Sequence, residues 1–205
     1  AWKLTMEAQG LTLPAMFKYI DRPRPDALAD SWRYDLAAYA LSKYLGLDHV
    51  PPIVGRTVEG ITGAVQAFVS GARSLADRRE MRLEPQDREA YDRSLADLTV
   101  FQALVNDDCR NEKDTLVRDE DGRIFRIDFS EAFAPAKGDP SGCQVRRCSS
   151  LLYGRLLAWD DRTVASYMVR YLNREEIDAL NSRRNLLVRK IRSLIKTLGK
   201  DRVLF

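Results

Sequence analysis

The stretch from Leu98 to Phe133 constrains this chain more than any other. A run with Leu98, Phe101 and Leu104 at helical spacing ends in Asn106-Asp107-Asp108-Cys109-Arg110-Asn111-Glu112-Lys113-Asp114. Two β-type runs follow, Leu116-Val117 and Ile124-Phe125-Arg126-Ile127-Asp128-Phe129-Ser130, and the turn Asp119-Glu120-Asp121-Gly122 between them has the composition of a hairpin turn. Acidic groups therefore stand just before the hairpin, and one carboxylate, Asp128, stands just after it. Such a clamp suits a divalent cation and a triphosphate. Phosphoryl transfer asks the protein for an Asp near the acceptor hydroxyl, oxygen ligands for metal, and a Lys to hold phosphates. Lys18 is a candidate for the last role. Asp128 is the strongest single candidate, because it closes an apolar strand and a carboxylate buried there without a cation would be costly.

Composition narrows the class without naming it. With 205 residues, 45% apolar and 31% charged, the chain has ordinary globular usage and the length of one domain or two small lobes. Lys+Arg 33 against Asp+Glu 30 leaves +3, which gives no electrostatic footprint for nucleic acid. Neither a run of about eighteen apolar residues nor a basic-then-apolar leader occurs, so no membrane span and no signal peptide are expected. Cys109, Cys143 and Cys148 are odd in number and lack a C-x-x-C pair. They predict neither a disulfide framework nor a zinc site and, by default, a reducing cytoplasm. The sole histidine, His49, precedes Val50-Pro51-Pro52 and reads as a loop or helix-end residue rather than a catalytic one.

Strand signals cover Trp2 to Glu7 and Leu11 to Ile20, with Lys18 near the end of the second, and Asp21 to Asp26 reads as a loop. Asp30 or Ser31 caps a helix carrying Tyr34, Ala37, Ala38, Leu41 and Leu45 and ending near Gly46, with Asp35 in its first turns, placed to pair with Lys18. Val50 to Thr57 and Ile61 to Ser70 are strand-like, and Gly71 to Asp87 is a polar connector marking the boundary between lobes 1–72 and 73–205. Beyond the helix from Arg88 to Val105 and the hairpin, Pro135 to Gly142 reads as a loop. Helices are expected over Ser149 to Trp159, Thr163 to Leu172 and Arg174 to Leu198. On the last of these, Arg183, Arg184, Arg189, Lys190, Arg192 and Lys196 read as a solvated face. The layout is α+β and two-lobed, with a cleft between lobes.

Together these residues resemble the atypical protein-kinase-like superfamily, in the branch shared by phosphoinositide kinases, HipA-type toxin kinases and secretory-pathway kinases, with greatest similarity to bacterial members. Ala15-Met16-Phe17-Lys18 is similar to the nucleotide-lysine strand, and Tyr34-Asp35-Leu36-Ala37-Ala38-Tyr39 with Leu45-Gly46-Leu47 and Val50-Pro51 to the helix-then-strand signature. Gly63 to Val69 resembles the strand leading into the hinge. Asp108 to Asp114 resembles the Asp-Arg-x-x-x-Asn catalytic loop, and Ile127-Asp128-Phe129-Ser130-Glu131-Ala132-Phe133 the metal-binding Asp segment. The resemblance implies a small mixed N-lobe sheet with one helix, a mostly helical C-lobe, and ATP with Mg²⁺, or Mn²⁺, as cofactors. It implies Lys18 on the α- and β-phosphates, paired with Asp35, and adenine against backbone groups around Gln66, Phe68 and Val69. Asp128 would be the main metal ligand and Asp114 the second, with Asp107 or Asp108 orienting the acceptor hydroxyl, more readily that of a protein than of a lipid. Departures from the pattern are Asp35 where Glu is usual, Asp114 where Asn is usual, Cys109 as an insertion, and no Gly-rich loop ahead of Lys18. Two further readings stand beside the kinase: a pseudokinase acting as a nucleotide- or partner-binding module, and a nucleotidyl transferase.

Overall fold

A computed structural model describes residues 1–8, 10–22, 29–136 and 143–205. The first third of the chain holds six strands and one helix: β1 (Trp2–Ala8), β2 (Leu11–Lys18), β3 (Asp21–Arg22), β4 (Asp30–Ser31), α1 (Trp32–Leu45), β5 (Ile53–Val58) and β6 (Ile61–Ala67). Four of the strands form one antiparallel sheet in the order β1-β2-β6-β5. Side chains alternate across a strand, so Ala15 and Phe17 on β2 pack with Val65 of β6, while Lys18 lies on the opposite face. Gly63 allows β6 to lie close to β2. A Cβ there would sit 2.3 Å from the Lys18 carbonyl oxygen and 2.7 Å from the Phe17 ring. Strand β3 pairs with β4, so Asp21 and Arg22 are strand rather than loop; Pro23 to Asp26 of the expected loop lie outside the described residues.

Helix α1 begins where the Ser31 hydroxyl accepts the Arg33 N–H at 3.2 Å and ends at Gly46, whose φ of 73° suits a left-handed C-cap. Its stripe of Tyr34, Ala37, Ala38, Leu41 and Leu45 is buried, and the same face carries the fully buried Asp35.

The polar segment after Gly71 is more ordered than its composition predicts. It contains β7 (Ala72–Ser74) and α2 (Leu75–Glu80), the latter capped by Ser74. Helix α3 (Arg88–Val105) then leads into β8 (Thr115–Arg118) and β9 (Ile124–Arg126), and β7 joins them in the order β7-β8-β9. Three residues of strand without apolar alternation give no sequence signal; they are ordered by backbone pairing to β8 and by the Arg73–Asp119 ion pair, both partners distant in sequence. His49 is buried between α1 and β5; its backbone carbonyl accepts the Arg126 N–H at 2.7 Å, which ties the first sheet's connection to β9.

The rest is helical: α4 (Ser150–Leu157), α5 (Asp161–Met168), α6 (Arg174–Leu198) and α7 (Lys200–Val203). One large apolar cluster joins α1, α3, α4, α5 and α6 to Phe129, Ala132 and Phe133. Arg183 departs from the solvated face expected of it. It is buried on α6 and donates to the Leu104, Ala134 and Ala136 carbonyls at 2.8, 2.7 and 2.6 Å. Of the expected loop Pro135 to Gly142, residues 137–142 lie outside the described set.

The expectation of no disulfide is overturned as well. Cys109 and Cys143 are bonded across 34 residues, whereas Cys148 is a free, buried thiol pushed up to about 12 by that burial. Parity of a cysteine count does not show which two approach; here the chain's return after Phe133 brings Cys143 against the acidic loop. A ring of this length restricts the unfolded chain by about 3–4 kcal/mol. Cys109→Ser/Cys143→Ser should therefore lose about that much unfolding free energy in urea titration, and Cys148→Ala, which buries no new polar group, should lose about 1–2 kcal/mol.

Candidate active site

Three segments meet at Lys18. Its ammonium lies 2.8 Å from Asp35 Oδ1 on α1 and 3.2 Å from Asp128 Oδ1 beyond β9. Asp35 Oδ1 also accepts the Phe129 N–H at 2.9 Å, so one carboxylate oxygen ties β2 and the segment after β9 to α1. The Ser31 N–H donates to the Ser130 carbonyl at 2.9 Å and reinforces that seam. Asp35 Oδ2 is buried and has no hydrogen-bond partner. Asp128 adopts a φ of 61°, in the left-handed region that few residues with a Cβ visit. A cavity of about 250 Å³ opens beside the trio, lined also by Asp30, Trp32, Ser130 and Glu131.

Burial alone would lower the Lys18 ammonium, but Asp35 and Asp128 together hold it above its ordinary value. The Asp35 carboxyl is pushed up by its complete burial, with Lys18 opposing. Burial also works against ionised Asp128, yet Lys18 and Ser130 bring it below the usual carboxylate range. Asp114 is pushed up by burial, and the neighbouring Asp128 charge adds to that effect against Arg126. Its backbone carbonyl accepts the Ile127 N–H at 2.9 Å, and its side chain accepts from Asn111. The two carboxylates proposed as metal ligands are thus close enough to repel.

Asp107 and Asp108 have different fates despite being adjacent. Asp107 is buried: Arg126 Nε and Nη2 donate to its two oxygens at 2.8 and 2.9 Å, and Gln102 Nε2 donates to Oδ2 at 3.0 Å. Both oxygens are thus engaged from behind, in a buried position. Asp108 has about half of its side chain exposed, and the Arg110 backbone N–H, donating at 2.9 Å, holds it below the ordinary carboxylate value. Arg126 also reaches the Asn111 carbonyl at 2.8 Å, so it holds both ends of the turn that carries Asp108. This role was readable in principle, since an arginine within Ile124-Phe125-Arg126-Ile127 needs a buried anion. The disulfide anchors the same turn through Cys109.

Gln66 is buried on β6, whereas Phe68 is exposed, with the Lys3 ammonium 5.3 Å from its ring centre, and Val69 is half-buried. The Ala67 and Phe68 N–H groups donate to the Pro52 and Pro14 carbonyls at 2.8 and 3.2 Å.

No protein-family model matches the chain, and neither does any curated protein. Among solved structures it is similar to hydra Fam20 with sugar, at a TM-score of 0.74 and 13% identity over 99% of this chain and 84% of that one. The fold is kinase-like. A second similar structure, the proinflammatory kinase CtkA of Helicobacter pylori, gives a TM-score of 0.53 and 10% identity over 95% of this chain and 90% of that one. At these identities the likeness is one of architecture: a small N-terminal sheet with one helix, and a helical C-terminal part.

Arg126→Met should cost about 3–5 kcal/mol in urea unfolding, because it leaves Asp107 as a buried unpaired charge. Adding Asp107→Leu should restore much of that loss, a coupling that a double-mutant cycle measures. A carboxyl held low in the folded state stabilises above its unfolded value, and this contribution is lost as pH falls through the folded one. Asp128→Asn should therefore show a shallower loss of stability than the parent below about pH 4, read from urea midpoints across an acid series.

Proposed function

We propose that the protein transfers the γ-phosphoryl group of ATP to a hydroxyl on a protein side chain. The observation that carries this reading is the joint hold of Asp35 and Asp128 on Lys18, at 2.8 and 3.2 Å, within a kinase-like fold. A cation so placed can move from carboxylate to phosphate oxygens when a nucleotide enters the adjoining cavity. Lys18 binds the α- and β-phosphates, and Asp35 keeps it extended from the sheet.

The donor set fits Mg²⁺ or Mn²⁺. Asp114 and Asp128 would supply hard oxygen ligands, and the charge of Asp128 adds to the effect that pushes Asp114 up. Among the described residues no cluster of three or more acidic, His or Cys side chains is assembled for a metal. Mg²⁺ is commonly held by one or two protein carboxylates together with substrate phosphates, a number that Asp128 and Asp114 can supply. When bound, the ion would neutralise charge on the triphosphate. Asp108 is the acceptor-orienting residue, since Asp107 is consumed by Arg126. Held low, Asp108 is ionised at neutral pH and accepts a hydrogen bond from the incoming hydroxyl. The hydroxyl oxygen forms a bond to γ-phosphorus, the bond from γ-phosphorus to the bridging oxygen breaks, ADP departs, and the hydroxyl proton passes to Asp108. The half-exposed position of Asp108 leaves room for a macromolecular acceptor.

No described helix is long and apolar enough to cross a membrane. The Cys109–Cys143 disulfide supports an oxidising compartment in place of the reducing cytoplasm expected from the cysteine count. In a thermal-shift assay ATP with Mg²⁺ should stabilise the protein by about 2.7 kcal/mol at a hundredfold over the dissociation constant, and Asp128→Asn should remove the Mg²⁺-dependent part. With γ-labelled ATP and protein acceptors, Asp108→Ala should lower transfer by at least a hundredfold at little cost to ATP binding. Binding without transfer from γ-labelled or α-labelled ATP, to protein or sugar acceptors and with either metal, would leave a nucleotide-binding module. Transfer from α-labelled ATP alone would make it a nucleotidyl transferase.

A further inference from the structure

The acidic turn is fastened unevenly. Arg126 grips it at both ends, through the Asp107 carboxylate and the Asn111 carbonyl. Between these holds stand Asp108, Cys109 and Arg110, whose hydrogen bonds are mostly local. The Arg110 N–H and Nε donate to Asp108 Oδ1 at 2.9 and 3.2 Å, and the Asn111 N–H donates to the Asp108 carbonyl at 3.2 Å. Among the described residues, two polar or covalent ties run from these three to the body of the protein. One is a long 3.5 Å contact from Gln102 Nε2 to the Asp108 carbonyl; the other is the Cys109–Cys143 disulfide. The covalent tie is thus the firm hold on the middle of the turn, one residue from the acid that orients the acceptor. Cys109 is also the residue that stands as an insertion in the pattern the loop resembles.

Both redox states of the pair are provided for. Cys109 is partly exposed and Cys143 only 5% exposed, so an incoming thiolate reaches the Cys109 sulfur and Cys143 departs. The Asp107 carbonyl lies 3.7 Å from Cys143 Sγ, where a thiol formed on reduction has an acceptor without moving. Asp107 itself is held by Arg126 and Gln102, so the buried base of the loop does not depend on the sulfur bridge. Cys148, the third cysteine, is fully buried and its thiol is pushed up to about 12, which keeps it from competing as a thiolate for either partner. The pair can therefore open and reclose on itself.

We propose that the Cys109–Cys143 pair is a redox switch on the position of Asp108. Closed, it holds the acid for the acceptor; opened by a dithiol, it frees residues 108–110 and slows phosphoryl transfer without weakening nucleotide binding. One thiolate of the dithiol bonds to the Cys109 sulfur as the Cys109–Cys143 bond breaks, and its second thiolate displaces Cys109 from the mixed disulfide. Two electrons and two protons pass to the pair as the dithiol becomes a disulfide. This rests on the phosphotransfer reading above and names the regulation of the same site. The test takes the whole chain oxidised, reduced with dithiothreitol and reoxidised, with thiol labelling to follow the state of the pair. Hydrogen exchange at 108–110 should quicken about tenfold or more on reduction, while the amides of Lys18, Asp35 and Phe129 keep their rates. Transfer from γ-labelled ATP should fall about tenfold or more, ATP affinity with Mg²⁺ should stay within about twofold, and reoxidation should restore exchange and transfer. Cys109→Ser/Cys143→Ser should behave as the reduced protein and ignore the reductant, and Cys148→Ala should respond as the parent does. Unchanged exchange at 108–110 after full reduction of the pair would overturn the proposal. So would unchanged transfer by a protein active when oxidised, or global unfolding on reduction; none of these results needs a variant to fold. Absence of transfer by the oxidised protein would remove the phosphotransfer reading itself, and this proposal with it.

Discussion

Asp35 is the point on which the arrangement turns. A carboxylate removed from water needs compensation from charge and hydrogen bonds, and Asp35 receives both at one oxygen: the Lys18 ammonium from the sheet and the Phe129 N–H from the segment after β9. Three stretches of chain separated by 17 and 94 residues are thereby brought to a common point. Shifting any one of them would leave the buried charge without part of its compensation. Aspartate is one methylene shorter than the glutamate that the resemblance implies at this position, and it still makes direct contact because α1 sits close enough for Lys18 to reach it at 2.8 Å.

The acidic loop is held from behind by a different device. Arg126 fills the space under the turn and grips Asp107 and the Asn111 carbonyl, while Arg183, from α6, satisfies the carbonyls of Leu104, Ala134 and Ala136 on either flank. These two buried guanidiniums perform a task that short polar loops cannot perform for themselves, since a turn with exposed side chains has little apolar surface to anchor it. The disulfide adds a covalent tether at Cys109, beside Asp108. The outward-facing acid is thus mounted on a rigid base even though its own side chain is half in solvent.

Much of this was written in local pattern. The helices α1, α3 and α6 follow from apolar spacing, and α1 also from its cap positions at Ser31 and Gly46, because each signal lies within a few residues of what it specifies. Asp128 could be nominated because it closes an apolar strand, whereas Lys18 and Asp35, ordinary residues for a strand and a first helical turn, are singled out by the resemblance of their segments. What could not be read depends on distant partners. Asp107 and Asp108 are chemically identical neighbours, and only the approach of Arg126 separates the buried from the exposed one. The same holds for Arg183, whose helical position resembles its solvated neighbours until the loop carbonyls arrive, and for Cys109 with Cys143. Strand β7 was invisible because its order comes from pairing with β8 and from Asp119, which lies far along the chain.

The backbone of Asp128 has a consequence for how the molecule can change. At a φ of 61°, every residue with a Cβ carries a steric penalty that glycine alone escapes. Selection for stability by itself would drift toward glycine at this position, and in doing so would discard the carboxylate beside Lys18. The most relaxed version of this loop is accordingly a version without its acid, so a library screened only for backbone ease at this turn should enrich chains in which Lys18 has lost its outer partner.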